Sequence, residues 1–271
     1  MTASRGRTAV CVTALATTRA VYQALRTRAP GTSARWRRSN YAGRTVDLYA
    51  GPATALGAAA GTVLAGSSSA ARTAPAAALV VLAAGACGAY DDAVGADDPR
   101  RGFRAHLGAL RRGEVTGGAV KLLGIGAASL GAAALLKERP ADRLLAAVVV
   151  AGAAHCVNLL DVRPGRAGLG VLALAVPGLL RRGPAGAFAA VPVGAAAAVV
   201  LDDLGERTML GDAGAHALGA ALGVAAVVGN GRAGLAVHAL GVIAATAYGD
   251  RTSRSATGPA TASRSHPHSP A

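Results

Sequence analysis

Aromatic side chains make up only 3% of this 271-residue chain, and acidic side chains are half as numerous as basic ones, 14 against 28. So large a basic excess invites nucleic acid as a partner. That reading requires basic residues on folded polar surface, usually with aromatic or polar side chains between them. Here the arginines fall in short clusters between long Ala/Val/Leu/Gly runs, and nucleic acid drops to a minor alternative. Cysteine is scarce as well. Cys11, Cys87 and Cys156 all lie inside apolar runs, and an odd number in such surroundings argues against a disulfide framework or a zinc cluster. They read as inert packing residues.

What remains is a chain that is 52% apolar and carries a formal charge of +14, a combination seldom seen in a soluble domain. The apolar runs predict an all-α polytopic membrane protein with about nine transmembrane helices, at residues 8–24, 46–66, 75–90, 115–136, 144–160, 167–180, 185–201, 213–229 and 233–248. The first run carries Arg19 and no cleavage region follows it, so it reads as a helix rather than a signal peptide. Residues 1–249 form one membrane domain, and the Ser/Thr/Pro/His-rich segment 250–271 reads as a disordered cytoplasmic tail.

With the N-terminus placed outside, 17 Lys and Arg fall on inner segments and 9 on outer ones, as the positive-inside rule asks of a plasma-membrane protein. The acidic residues, which do little to set topology, are more lopsided still. Twelve of the 14 fall on the inner side, and only Glu138 and Asp142 fall outside. A face rich in both signs of charge suits an anionic substrate held by cations and a metal.

Three acidic motifs reach that face from different helices: Asp91-Asp92 closing the third span, Asn158-Leu-Leu-Asp161 closing the fifth, and Met209-Leu-Gly-Asp212 opening the eighth. Two adjacent carboxylates repel, and a divalent cation that prefers oxygen relieves the repulsion; the alternative is a solvated loop start. The spacing of three puts Asn158 and Asp161 on one helical face. Lys121, about two turns into the fourth span, is either a cationic partner for phosphate or carboxylate, or a snorkelling lysine.

Together these residues resemble the polyprenyl-phosphate N-acetylhexosamine-1-phosphate transferases, the membrane superfamily of phospho-N-acetylmuramoyl-pentapeptide transferase and the UDP-N-acetylglucosamine:undecaprenyl-phosphate transferase. The resemblance spans about residues 40–223 and rests on Asp91-Asp92-Ala-Val-Gly95, Arg101-Gly-Phe-Arg-Ala-His106-Leu-Gly, Lys121-Leu-Leu-Gly, Asn158-Leu-Leu-Asp161 and Met209-Leu-Gly-Asp212-Ala-Gly-Ala-His-Ala-Leu-Gly219. It implies attack of a polyprenyl phosphate on the β-phosphorus of a UDP-amino sugar, with release of UMP, in cell-envelope glycan synthesis. It also implies Mg²⁺ as cofactor, membrane lipid as surroundings and a homodimer as the assembly to test. Under it Asp91, Asp92 and Asp212 are catalytic, with Asp212 and Asp92 as metal ligands. Asn158 and Asp161 orient the nucleotide-sugar, and Lys121 and His106 contact phosphate.

The chain departs from the family pattern at three places. His155 stands where the family has an Asn one turn before Asn158, Pro164 stands where a second Asp often follows Asp161, and no cytoplasmic His-rich loop lies between late helices. These departures carry the alternatives. One is a catalytically reduced relative that binds polyprenyl phosphate or envelope-synthesis partners without turnover, and another is a small transporter. His216 reads either as orienting Asp212 or as packing between helices, and His238 as a packed or hydrogen-bonded helix residue. Asp202, Asp203 and Glu206 read as a solvated acidic cap, and the basic loop from Arg35 to Arg44 as an anchor on anionic headgroups.

Overall fold

A backbone in apolar surroundings must satisfy its own hydrogen bonds, and an Ala-rich chain does so most cheaply as helix. The computed structural model describes residues 2–28, 33–67, 73–94 and 103–256. Eleven helices account for most of them: α1 (Thr2–Arg28), α2 (Ala50–Gly66), α3 (Thr73–Val94), α4 (Phe103–Arg111), α5 (Gly117–Leu136), α6 (Pro140–Leu160), α7 (Arg166–Leu179), α8 (Pro184–Ala197), α9 (Val200–Leu204), α10 (Gly211–Gly229) and α11 (Arg232–Ala256). The one sheet among the described residues is a hairpin of β1 (Arg37–Ser39) and β2 (Thr45–Asp47), paired antiparallel with Arg38 opposite Val46.

Among the described residues, five helical stretches are long and apolar enough to cross a membrane: α3, α5, α6, α8 continued by α9, and α10. The chain is therefore an all-α membrane protein apart from its small hairpin. Helix α7 is apolar but only 14 residues long. Each of the nine expected spans contains a helix, although the second begins in β2 and is helical only from Ala50, and α4 is an additional short helix in what reads from sequence as a basic loop. Helix α11 runs on to Ala256, past the expected start of the tail at 250. The rest of that tail lies outside the described residues.

Helix α10 is the axis of the bundle. It packs against α6, α3, α8 and α2, and 78% of its apolar window is buried, against 28% for α5 at the periphery. Small residues make this possible, as they let helix backbones approach closely where no hydrophobic force distinguishes protein from lipid. A Cβ on Gly88 of α3 would run into the Asp212 backbone carbonyl, and one on Gly219 into the backbone of Ala153 and Ala154 in α6. Around this axis the outward side chains are large and apolar, including Leu79, Leu123, Leu130, Leu144 and Leu240. Such a belt belongs in hydrocarbon, since soluble monomers do not present it.

Successive helices alternate in direction, which decides where the site lies. The last residues of α3, α6 and α9 and the first residues of α5, α7 and α10 come to one end of the bundle. The hairpin is pinned there too. Thr208 Oγ1 donates to Asp47 Oδ1 at 2.7 Å, and the Met209 N–H donates to the Asp47 carbonyl at 2.8 Å.

The closeness of α3 and α10 has a measurable consequence. Gly88→Val should cost about 1–3 kcal/mol of stability, because the new side chain meets backbone that cannot move aside. Gly126→Ala in α5, where a Cβ meets nothing within 4 Å, should be neutral or stabilising by about 0.5–1 kcal/mol. Reversible unfolding in mixed micelles would distinguish the two.

Candidate functional site

Consecutive residues on a helix point about 100° apart, and the two carboxylates that end α3 engage different groups. Asp92 turns towards the start of α10 and accepts from the Asp212 N–H at 3.0 Å and the Ala213 N–H at 2.9 Å. These are orphan amides of a helix whose own N-cap, Leu210, offers no side-chain oxygen. The chain enters α10 through Gly211 at φ +63°, a conformation that side chains rarely adopt. At the end of α3, the Arg38 guanidinium donates to the Asp92 carbonyl, a cation placed where the helix leaves its last acceptors open.

Asp91 turns the other way, towards α5. Its Oδ2 accepts from Lys121 Nζ at 2.5 Å, and the same ammonium is bound by Asp212 Oδ2. Gly117 leaves room for this: a Cβ there would collide with the Asp91 carboxylate. Lys121 is thus a bridge between the ends of two helices, half-buried rather than snorkelling. His106 Nδ1 lies 2.9 Å from Thr116 Oγ1, which caps α5 by accepting from the Ala119 N–H at 3.1 Å. His106 therefore sits against the start of α5, over Gly118, rather than among the carboxylates.

The third motif arrives through Asp161, the C-cap of α6, whose carboxyl faces the Gly211 amide. Burial pushes this carboxyl well above the usual carboxylate range, and the negative charges of Asp203, Asp212 and Asp92 push it further; the Gly211 N–H works the other way. Asp92 and Asp161 together thus face the first three amides of α10. The Asn158 carbonyl accepts the Asp161 N–H at 3.1 Å. His216 Nδ1 lies 2.7 Å from the Asp212 carbonyl. A carbonyl only accepts, so Nδ1 carries the proton, and His216 holds the backbone of Asp212 rather than its carboxylate.

Two readings from sequence are corrected here. Asp202 and Asp203 are buried, not solvated, and every acid of the supposed cap has partners. Asp202 takes Arg19 of α1 and Arg207, the latter at 2.8 Å; Asp203 accepts the Gly165 N–H at 3.0 Å; Glu206 accepts from Asn40 at 2.6 Å. The basic loop from Arg35 to Arg44 likewise turns partly inward, with Arg38 on Asp92 and Arg44 3.6 Å from Glu206. Arg38 and Asp203 are the contributors that sequence reasoning missed. Their one signal is that each lies at the crowded end of the bundle. The Arg101 side of the His106 motif lies outside the described residues.

Among the described residues no group of three or more His, Cys, Asp or Glu side chains is arranged to hold a metal. The carboxylates that converge on one point are Asp91 and Asp212, and Lys121 holds that point. Mg²⁺ is commonly bound by one or two carboxylates with substrate phosphates and water completing the shell. Asp91 and Asp212 fit that donor set. Asp92, with both oxygens on α10 amides, does not contribute to it.

The class these features define is a helical membrane protein with a partly buried acidic cluster at one end of its bundle. No protein-family description matches the chain, and no curated protein proved similar to it.

A carboxyl with a raised folded-state pKa favours the native state while protonated and loses that advantage as pH rises through the folded value. Asp161→Asn should therefore raise the thermal midpoint at about pH 8, where the native carboxyl is forced towards ionisation, and leave it nearly unchanged only at about pH 3, below the pKa of the same carboxyl in the unfolded chain. A gain of about 2–4 °C for each kcal/mol relieved is the scale for a chain of this size. Thermal unfolding in detergent at the two pH values reads it directly.

Proposed function

We propose that this chain is a phosphosugar transferase of the polyprenyl-phosphate type, crossing the plasma membrane about nine times with its acidic end in the cytoplasm. The observation that carries the reading is the convergence of Asp91, Lys121, Asp161 and Asp212, from four helices, on one end of the bundle. Bringing a lipid phosphate against a nucleotide-sugar pyrophosphate forces anions together, and the reaction goes only where cations offset that repulsion. Mg²⁺ held by Asp91 and Asp212 would supply charge neutralisation of the pyrophosphate.

The chain's own residues do the rest. Lys121, tethered by two carboxylates, is aimed at the space between α3, α5 and α10 and swings to a phosphate oxygen once those carboxylates are otherwise engaged. A lipid phosphate oxygen then forms its bond to the β-phosphorus as the bond to the UMP oxygen breaks, so UMP leaves with that electron pair. Asp92 and Asp161 hold α10 in place, so that Asp212 keeps its position through turnover. Asn158, on the last turn of α6 beside Asp161, is the residue placed to orient the nucleotide-sugar.

One observation favours the second reading, a relative that binds polyprenyl phosphate without turnover. Lys121 already neutralises the two carboxylates, and the family's nucleotide loop has no counterpart in this sequence. Membranes containing the chain should release UMP from a UDP-N-acetylhexosamine only with Mg²⁺ and a polyprenyl phosphate present, and Asp212→Asn should lower the rate at least about 100-fold. Absence of UMP from well-expressed protein would sink the enzyme reading and leave the binding one.

Lys121 and a divalent cation compete for the same oxygens, which gives a test independent of activity. Lys121→Met should bind Mn²⁺ about tenfold more tightly than the wild type, read by the loss of free-ion paramagnetic resonance signal. Equal or weaker binding would mean that Asp91 and Asp212 are not the ligands.

A further inference from the structure

Along the second half of α10, from Leu222 to Asn230, lies a cavity of ≈ 370 Å³ that the acidic site does not use. It opens between α6, α7, α10 and α11. Its walls are apolar, with Val149 and Val157 from α6, Leu174 from α7 and Leu222 from α10. The hollow has a sequence cause. Pro177 sits inside α7, where it removes a backbone hydrogen bond, and the facing side chains Ala175, Ala225 and Ala226 are too small to fill the space. The lining on α6 extends from Val149 to Val157, about 12 Å along the helix.

One end of this hollow is polar. Arg181, Asn230 and His238 line it there, with Arg181 and His238 both exposed. The Arg181 guanidinium donates to the Gly229 carbonyl, and Asn230 Nδ2 lies 3.3 Å from His238 Nε2. The rim around them is cationic. Lys137 reaches the Asn230 carbonyl at 3.0 Å, Arg182 adjoins Arg181, and the nearby acid Asp142 is paired with Arg232 at 2.6 Å. A second cavity of ≈ 320 Å³, lined by Lys137, Arg182 and Gly229, lies on the other side of the same helix end.

We propose that the first cavity is a binding site for an anionic phospholipid, its hydrocarbon chain lying along α6 and its phosphate at Arg181 and His238. An empty apolar slot in a membrane bundle is filled by whatever hydrocarbon reaches it, and the cationic rim selects among headgroups by charge. The volume falls in the range of sites that take small ligands. The proposal does not depend on the chemistry assigned to the acidic end. It gives α10 a lipid-stabilised terminus opposite its carboxylate-capped one.

The full-length chain, delipidated in detergent, would be titrated with pyrene-labelled phosphatidylglycerol and with phosphatidylcholine of the same chains. Phosphatidylglycerol should bind about tenfold more tightly and raise the thermal midpoint. Changing Arg181→Gln together with His238→Gln should abolish that preference while leaving phosphatidylcholine binding unchanged. Plugging the hollow with Ala226→Leu should weaken both lipids about tenfold. If that protein unfolds early, Leu174→Trp, at an exposed wall position, does the same job. Equal binding of the two lipids by the wild type overturns the proposal. So does phosphatidylglycerol binding that neither the charge nor the plug variants move.

Discussion

Starting a helix inside an apolar bundle leaves its first amide hydrogens without water, and something in the protein has to accept them. For α10 the acceptors come from elsewhere in the chain. Asp92, at the end of α3, takes two amides, and Asp161, at the end of α6, faces the third. The positive end of the α10 dipole meets two carboxyls, an arrangement that favours their charged forms and offsets part of what their burial costs. Because the acceptors belong to different helices, capping α10 also draws the ends of α3 and α6 against it. The acidic cluster is in this sense a product of how the central helix begins.

The remaining charges at this end obey the same economy. The two cations that lie within predicted spans, Arg19 and Lys121, are both matched: Arg19 with Asp202, and Lys121 with Asp91 and Asp212. Such pairs add little net stability, because removing both partners from water costs about as much as their attraction returns. Removing one partner is the expensive change. The pairs therefore act less as glue than as mutual constraints that hold the cluster in register. Charges of this kind at a membrane bundle's interior mark a functional region by default. Lys121 is the one with two acidic partners, so it is also the one whose position responds to a competing cation.

Much of this was legible in the sequence, for a physical reason. Apolar runs long enough to span a bilayer give the helices, and alternation of direction then forces every second loop to one side, so the three acidic motifs had to meet at one end. What the sequence withheld depends on rotation and distance. Whether Asp91 or Asp92 faces α10 is set by the angle of α3 about its axis, which Gly88 fixes by packing on the Asp212 carbonyl. The partner of Arg19 lies 183 residues away, and hydropathy registers Arg19 only as a flaw in a span. Asp202 and Asp203 look solvated because acidic pairs usually are; their partners, Arg19 of α1 and the Gly165 amide before α7, lie far away in the chain, and no local pattern encodes them. The inward turn of Arg38 is hidden for the same reason, since a basic loop reads as a headgroup anchor until its neighbours are known.

The composition that makes the bundle tight also makes it hollow in one place. Alanine and glycine let α10 touch α2, α3 and α6 backbone to backbone, and Gly214 against Gly51 is one such contact. Where helices diverge, however, small residues cannot fill the gap that a Leu or Phe would. At the carboxylate end the helices converge because hydrogen bonds and ion pairs pull them together. At the other end α10 finishes at Asn230 with its carbonyls held by Lys137 and Arg181, which lie on the rim and leave the space between α7 and α11 open. Polar convergence at one end and a cationic, apolar-walled opening at the other are thus two outcomes of a single design. A helix of small residues packs only as closely as its ends are tied.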